Sequence, residues 1–285
     1  MSNGVEQPIR AFTVMDAVPV IGGVALFASW LLSTSLGRKS LAGSKPRRNC
    51  MAPVTPILLF TAWWLGGALM QSAVSGIAPN VERWQALFLN QLAYSVASLG
   101  TVVVVLILAR LDFARGLNGL GLRLKTVPKD LGLAFLTLLA VYPLVEATMR
   151  LILWIMQELS GQEYRIPPHQ ALKLITENPA VPLQVLLVVV AVVVAPVVEE
   201  VLFRGLFQTT IRSYVQRPWP AIVLTAVLFA AIHEDKSHWP SLFVLALGLG
   251  YAYEKSGSLL RSIFMHAMFN GIAIAMVLTQ PPGWV

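Results

Sequence analysis

The chain has 285 residues, of which 56% are hydrophobic and only 12% charged, with a formal net charge of +7. A soluble globular domain carries about a quarter of its residues charged, so this composition excludes one and describes an integral membrane protein. The apolar runs are continuous rather than alternating, which excludes a barrel and leaves helices as the way to satisfy the backbone in hydrocarbon; the expected fold is all-α, a polytopic transmembrane helical bundle.

A bilayer span needs about 20 apolar residues. In chain order, such runs fall at Ala17 to Leu36, Pro53 to Ile77, Trp84 to Ala109, Leu131 to Met156, and Val181 to Val198 continuing into the Arg204 region. Three shorter ones follow at Trp219 to His233, Ser241 to Tyr253 and Leu259 to Leu278, for eight spans in all.

Basic residues concentrate on the cytoplasmic side of membrane proteins. If the first span runs inward, the inner segments hold Arg38, Lys39, Lys45, Arg47 and Arg48, then Arg110, Arg115, Arg123, Lys125 and Lys129, then Arg204, Arg212 and Arg217, and lastly Lys255 and Arg261. The outer segments keep only Arg10, Arg83, Arg150, Arg165, Lys173 and Lys236. This bias predicts both termini outside, in a protein of a bacterial cell membrane or of one with the same topology. The positive charge serves topology and anionic lipid rather than nucleic acid, because it lies at helix ends on one side. A cleaved signal peptide is not expected, since the cluster GRKSLAGSKPRRN follows the first apolar run instead of preceding it. The single cysteine, Cys50, excludes an intramolecular disulfide.

No internal repeat is visible. The segment from Arg110 to Asp130 mixes leucines with glycines and basic residues and suits an inner interfacial position; Gln157 to Ala180 is an outer loop containing PPH. Neither is long enough for a soluble domain, so residues 1–285 read as one membrane domain.

A charge at the centre of a membrane helix costs roughly 2.5–3.5 kcal/mol on insertion scales, so each needs a reason. Glu146 and Arg150 are four apart and read as a self-paired structural couple. His169 and His238 fall in outer loops and read as solvated. The last third is different: Glu199, Glu200 and Arg204 lie on one helix, His233 ends the next, and His266 and Asn270 share another. At about 1.5 Å per residue from the inner ends, Glu199 stands about 20 Å up, His233 about 22 Å, His266 about 12 Å and Asn270 about 18 Å, one layer once tilt is allowed for.

Within that layer, Glu200 and Arg204 have the favourable i,i+4 order and neutralise each other. Glu199 is turned by about 100° and has no local cation, so it is the free carboxylate. His266 and Asn270 project from one face, and Phe229 is placed to pack beneath His233. A carboxylate and a histidine on one water form a general base, and a second histidine with an amide supplies donors to an oxyanion. That set hydrolyses an amide or ester without a covalent intermediate. No serine or cysteine has a comparable setting. The alternative is that these groups only knit helices together by hydrogen bonds.

The three segments EEVLFR, FAAIH and HAMFN fit the motifs EExxxR, FxxxH and HxxxN, in that order. The chain therefore resembles the CPBP family, the type II CAAX prenyl endopeptidases and bacteriocin-processing relatives, across roughly Val181 to Leu278, and GYAYEKSGSLLRSIFMH resembles that family's run into its last motif. The resemblance implies an intramembrane glutamate-type endopeptidase with residues 181–278 as catalytic core: Glu199 the general base, His233 its partner on the water, His266 and Asn270 at the oxyanion, Glu200 and Arg204 in support. It implies no metal or cofactor, and as partners a peptide or protein substrate at the membrane. Two alternatives stand beside it: zinc held by Glu199, His233 and His266, though HExxH is absent, and a non-catalytic scaffold, immunity protein or transporter. The substrate is not specified, because the family includes members in cells without prenylated CAAX proteins.

Overall fold

The computed structural model describes residues 14–77, 80–161 and 170–279. The described residues form helices α1 (Val14–Ser33), α2 (Thr55–Ile77), α3 (Arg83–Asp112), the short α4 (Leu117–Leu120), α5 (Val127–Ser160), α6 (Gln170–Glu177), α7 (Val181–Val215), α8 (Pro218–Ala231), α9 (Trp239–Ser256) and α10 (Leu259–Leu278). The only β-type pairing among them is one bridge between Asn49 and Phe113. His169 lies outside the described residues.

Local chemistry sets several ends. Glu82 opens α3 with a capping box, its own N–H donating to Gln85 Oε1 at 3.0 Å. Prolines stand at the starts of α5, α7, α8 and α9, where a missing N–H costs nothing. The left-handed Gly161 and Gly257 close α5 and α9.

Five helices are long and apolar enough to cross a membrane: α2, α3, α5 (with α4), α7 and α10. They show lipid-facing side chains such as Ile77, Leu69 and Leu111. The described part of α1 from Ile21 and the 14-residue α8 are shorter apolar helices. The expected eighth and shortest runs thus divide: α10 is full length, whereas α8 at about 1.5 Å per residue is about 21 Å long, less than the hydrocarbon thickness of about 30 Å. α9 is enclosed by the others, with Leu245 and Leu249 nearly inaccessible, whereas α8 buries Ala226 and Phe229 on one face and leaves Val223, Leu224, Val227 and Leu228 exposed on the other.

The interior divides into three apolar clusters. The largest gathers Trp63 of α2, Val105 of α3, Phe203 of α7, Phe229 of α8 and Tyr253 of α9. A second joins α5 to α9 and α10 through Leu138, Leu249 and Met265, and a third joins α6, α7 and α10 through Ile175, Leu187 and Ile274. The site lies where the first and second meet.

One sequence expectation fails here. Glu146 and Arg150 make no ion pair with each other among the described residues; the Tyr142 hydroxyl one turn back meets Met276 Sδ at 3.4 Å.

Candidate active site

The helix that carries both glutamates is not a plain α-helix. It widens to π geometry at Val190–Val194 and again at Val201–Gln208, on either side of Ala195–Glu200. Wide turns of this kind occur mostly at functional sites and leave backbone groups without their usual partners. The first has a chemical cause in the sequence. Ala195 N–H bonds to Val190 O, five residues back, and the next N–H in that pattern would belong to Pro196, which has none. The Ala191 carbonyl is therefore orphaned, and Asn270 Nδ2 donates to it at 2.8 Å. At the second widening, the Thr209 hydroxyl donates to Arg204 O at 3.0 Å.

Between the two wide turns, Glu200 is completely buried and engaged through one oxygen, its Oε2 having no hydrogen-bond partner among the described residues. Its Oε1 accepts from Arg204 Nη1 at 2.7 Å and from His266 Nδ1 at 3.0 Å. A carboxylate only accepts, so Nδ1 carries the proton and Nε2 is the outward nitrogen of His266. That nitrogen stands 3.9 Å from Glu199 Oε2. Glu199 itself is 19% exposed, and no hydrogen bond reaches its carboxylate among the described residues.

Arg204 is also fully buried. Its Nη2 donates to Ala246 O of α9 at 3.1 Å, and its guanidinium lies 4.8 Å over the Phe229 ring. Phe229 is the hub: its ring centroid is 5.0 Å from that of His233 and 5.8 Å from that of His266. One rigid aromatic ring thus spaces both imidazoles and the guanidinium. His233 sits one residue past the cap of α8, and among the described residues two contacts orient its ring and its carbonyl. Its Nδ1 meets Phe229 O at 2.8 Å, and its own carbonyl accepts from Trp239 Nε1 at 2.8 Å. Because a carbonyl only accepts, Nδ1 is again the protonated nitrogen and Nε2 the basic one.

The structure therefore links Glu200 to Arg204 and His266, packs Phe229 against Arg204 and His266, sets Glu199 3.9 Å from His266 and places His233 against the Phe229 ring. Asn270 does not share a partner with His266: it reaches toward the first π turn, His266 toward the glutamates. Among the described residues no set of three His, Cys, Asp or Glu side chains stands close enough together to hold a metal ion, so Glu199, His233 and His266 do not form a zinc set in this arrangement. Spacing alone missed the role of backbone carbonyls at Ala191 and Ala246. The proline at 196 and the small residues Ala246 and Gly250 were the available signals.

The residues holding this geometry coincide with a known sequence family. Residues 181–272 match the family model of type II CAAX prenyl endopeptidase, Rce1-like. This segment is similar to that family. It runs from the first residue of α7 into α10, about a third of the chain, and contains every site residue named above. No curated protein and no solved structure matches the chain. The matched segment is also where the two wide turns and the buried Glu200–Arg204 pair lie.

Proposed function

We propose that the protein is a CAAX-type intramembrane endopeptidase in which Glu199 activates water against a peptide bond. The observation that carries this reading is the contrast between adjacent glutamates: Glu200 is buried and spent on Arg204 and His266, whereas Glu199 is partly exposed with no hydrogen bond of its own. A carboxylate left free inside a membrane domain is costly unless it has work to do. In this reading Glu199 takes a proton from the water, with His233 Nε2 as its partner on the same water. His266 donates from Nε2 to the charge that develops on the scissile carbonyl once that nitrogen also carries a proton, and Asn270 assists from the next turn with its remaining N–H. Glu200 holds Nδ1–H and stabilises the imidazolium, and Arg204 balances Glu200. The match to an Rce1-like model supports hydrolysis of a peptide at the membrane surface.

The test is cleavage of lipidated and unlipidated peptides by the purified chain in nanodiscs. Glu199→Gln should lower kcat by about 10² to 10⁴, the usual worth of a positioned base, with an unchanged melting temperature. Glu200→Gln should lower stability as well, because it leaves Arg204 buried and unpaired. Activity that Glu199→Gln retains would overturn the assignment. Activity lost to chelator and restored by zinc would transfer the water to a metal.

A further inference from the structure

Away from the glutamates, at the pole where the loops before α2, after α3 and after α9 meet, lies a cavity of about 410 Å³. Its wall carries Lys45, Arg47, Arg48, Arg115, Arg123 and Lys255 against a single acid, Glu254. That acid is already balanced. Arg212 Nε donates to Glu254 Oε1 at 3.0 Å, and Arg47 Nη1 stands 3.8 Å from Oε2. Arg47 is further committed to Tyr253, donating to its carbonyl at 3.1 Å and lying 3.5 Å over its ring, and Lys255 is bonded to Ser40 O. Lys45, Arg48, Arg115 and Arg123 have no ion-pair partner among the described residues.

All four are solvent-exposed, and gathered on one wall they set up a positive potential that draws an anion. The walls are built rather than fluid. Cys50 N–H bonds to Asp112 O, Ala114 N–H to Arg48 O and Leu259 N–H to Gly121 O, so each loop is tied to a neighbour. Two buried polar atoms also lack partners there: Ser44 Oγ on the wall, and Nη1 of Arg212, a side chain 3% exposed whose Nη2 donates to Ser44 O. At the rim, Leu124 is 85% exposed between Arg123 and Lys125, as suits a segment lying in the plane of a headgroup layer.

We infer that this cavity is a binding site for a phosphate-bearing anion, of the size of a phospholipid headgroup. The volume lies within the range of small-ligand sites, and arginine forks match phosphate oxygens. The inference does not depend on the hydrolytic reading of Glu199.

The test uses the full chain in a neutral detergent, titrated with dioctanoyl phosphatidylglycerol, with dioctanoylglycerol and with inorganic phosphate, and read by native mass spectrometry and melting temperature. Saturable binding of phosphatidylglycerol, one per chain, is expected, with none of dioctanoylglycerol. Combining Arg48→Gln, Arg115→Gln and Arg123→Gln should weaken it about a hundredfold, at about fivefold per cation near an anionic surface. Arg115→Gln alone should weaken it about fivefold, which serves if the triple variant folds poorly. The control combination Arg38→Gln, Lys125→Gln and Lys129→Gln, basic but outside the cavity, should leave binding unchanged. Inorganic phosphate that displaces the lipid at comparable concentration assigns the anion as free phosphate; failure to displace assigns it as the lipid headgroup. Equal weakening in the two triple variants, or no saturable binding of either anion, would overturn the inference.

Discussion

At the scale of single residues, what separates Glu199 from Glu200 is the neighbour each meets across the bundle. Both are carboxylates one peptide apart, yet α10 presents His266 Nδ1 to one and Nε2 to the other. The i,i+4 pairing of Glu200 with Arg204 was legible from spacing; the third partner, His266, was not, because sequence spacing says nothing about which face of a distant helix arrives. His238 illustrates the converse. Read from its loop as solvated, it is half-buried at the entrance to α9, and burial pushes its imidazole below the ordinary value of 6.5. A histidine with a depressed folded-state pKa binds fewer protons folded than unfolded as pH falls through 6.5, so stability is flat above that pH and declines below it. The melting temperature should therefore fall between pH 7.5 and 5.5 in the wild type and fall less in His238→Gln; identical slopes would remove His238 as the cause.

At the scale of elements, α7 and α9 run parallel and are joined by a ladder of polar rungs. Arg204 donates to Ala246 O, Gln208 Nε2 to Gly250 O at 3.0 Å, and Arg212 to Glu254, each rung one helical turn beyond the last. Burying such groups in a membrane protein is costly unless they are hydrogen-bonded, and each of these side chains makes at least one such bond. The ladder requires a near-bare α9 backbone at its middle rung: a Cβ at Gly250 would stand 2.8 Å from Gln208 Oε1 and 3.0 Å from Ile222 Cγ2. Gly250→Val should cost about 1–3 kcal/mol by overpacking. It should also move Arg204 and Glu200, so hydrolysis should fall even though residue 250 touches no substrate. A melting curve and an activity assay on one preparation check both, and wild-type values in either would show that α7 and α9 yield without consequence. The small residues Ala246 and Gly250 permit this close helix contact, and the partner is α7 of the same chain.

At the scale of the whole molecule, the site is assembled by helices far outside the Rce1-like segment. Phe203 and Phe229 pack into a cluster that includes Trp63 and Val105, and Trp63 Nε1 donates to Ser98 Oγ at 2.9 Å across α2 and α3. At the other end of α10, buried Asp130 at the start of α5 accepts from Ser258 Oγ at 2.6 Å and from Arg261 at 3.0 and 3.2 Å. Gly121 allows this approach: left-handed at φ 101°, it accepts from Leu259 N–H at 3.0 Å, and a Cβ there would stand 2.7 Å from that nitrogen. The run GSLLR that leads to the last motif is therefore a clamp onto α5. Residues 181–278 expressed alone should not form a stable bundle, and co-expression with residues 1–180 should restore protease resistance. A stable, monodisperse isolated segment would show instead that the core stands without the six described helices that precede it.

The sequence by itself determined the membrane class, the helical fold, the positions of the long helices and which polar residues needed a reason, because hydrocarbon imposes continuous apolar runs and penalises every charge in the same way wherever the helix sits. It also determined the Glu200–Arg204 pairing, which lies within one turn. Only the tertiary structure decided what crosses between helices: that Phe229 spaces both histidines, that Asn270 answers the carbonyl orphaned by Pro196, that His266 binds Glu200 and leaves Glu199 open, and that three basic loops close around one cavity. Those contacts depend on the azimuth and height at which separate helices meet. That is set by side-chain packing summed over the bundle, not by any local spacing.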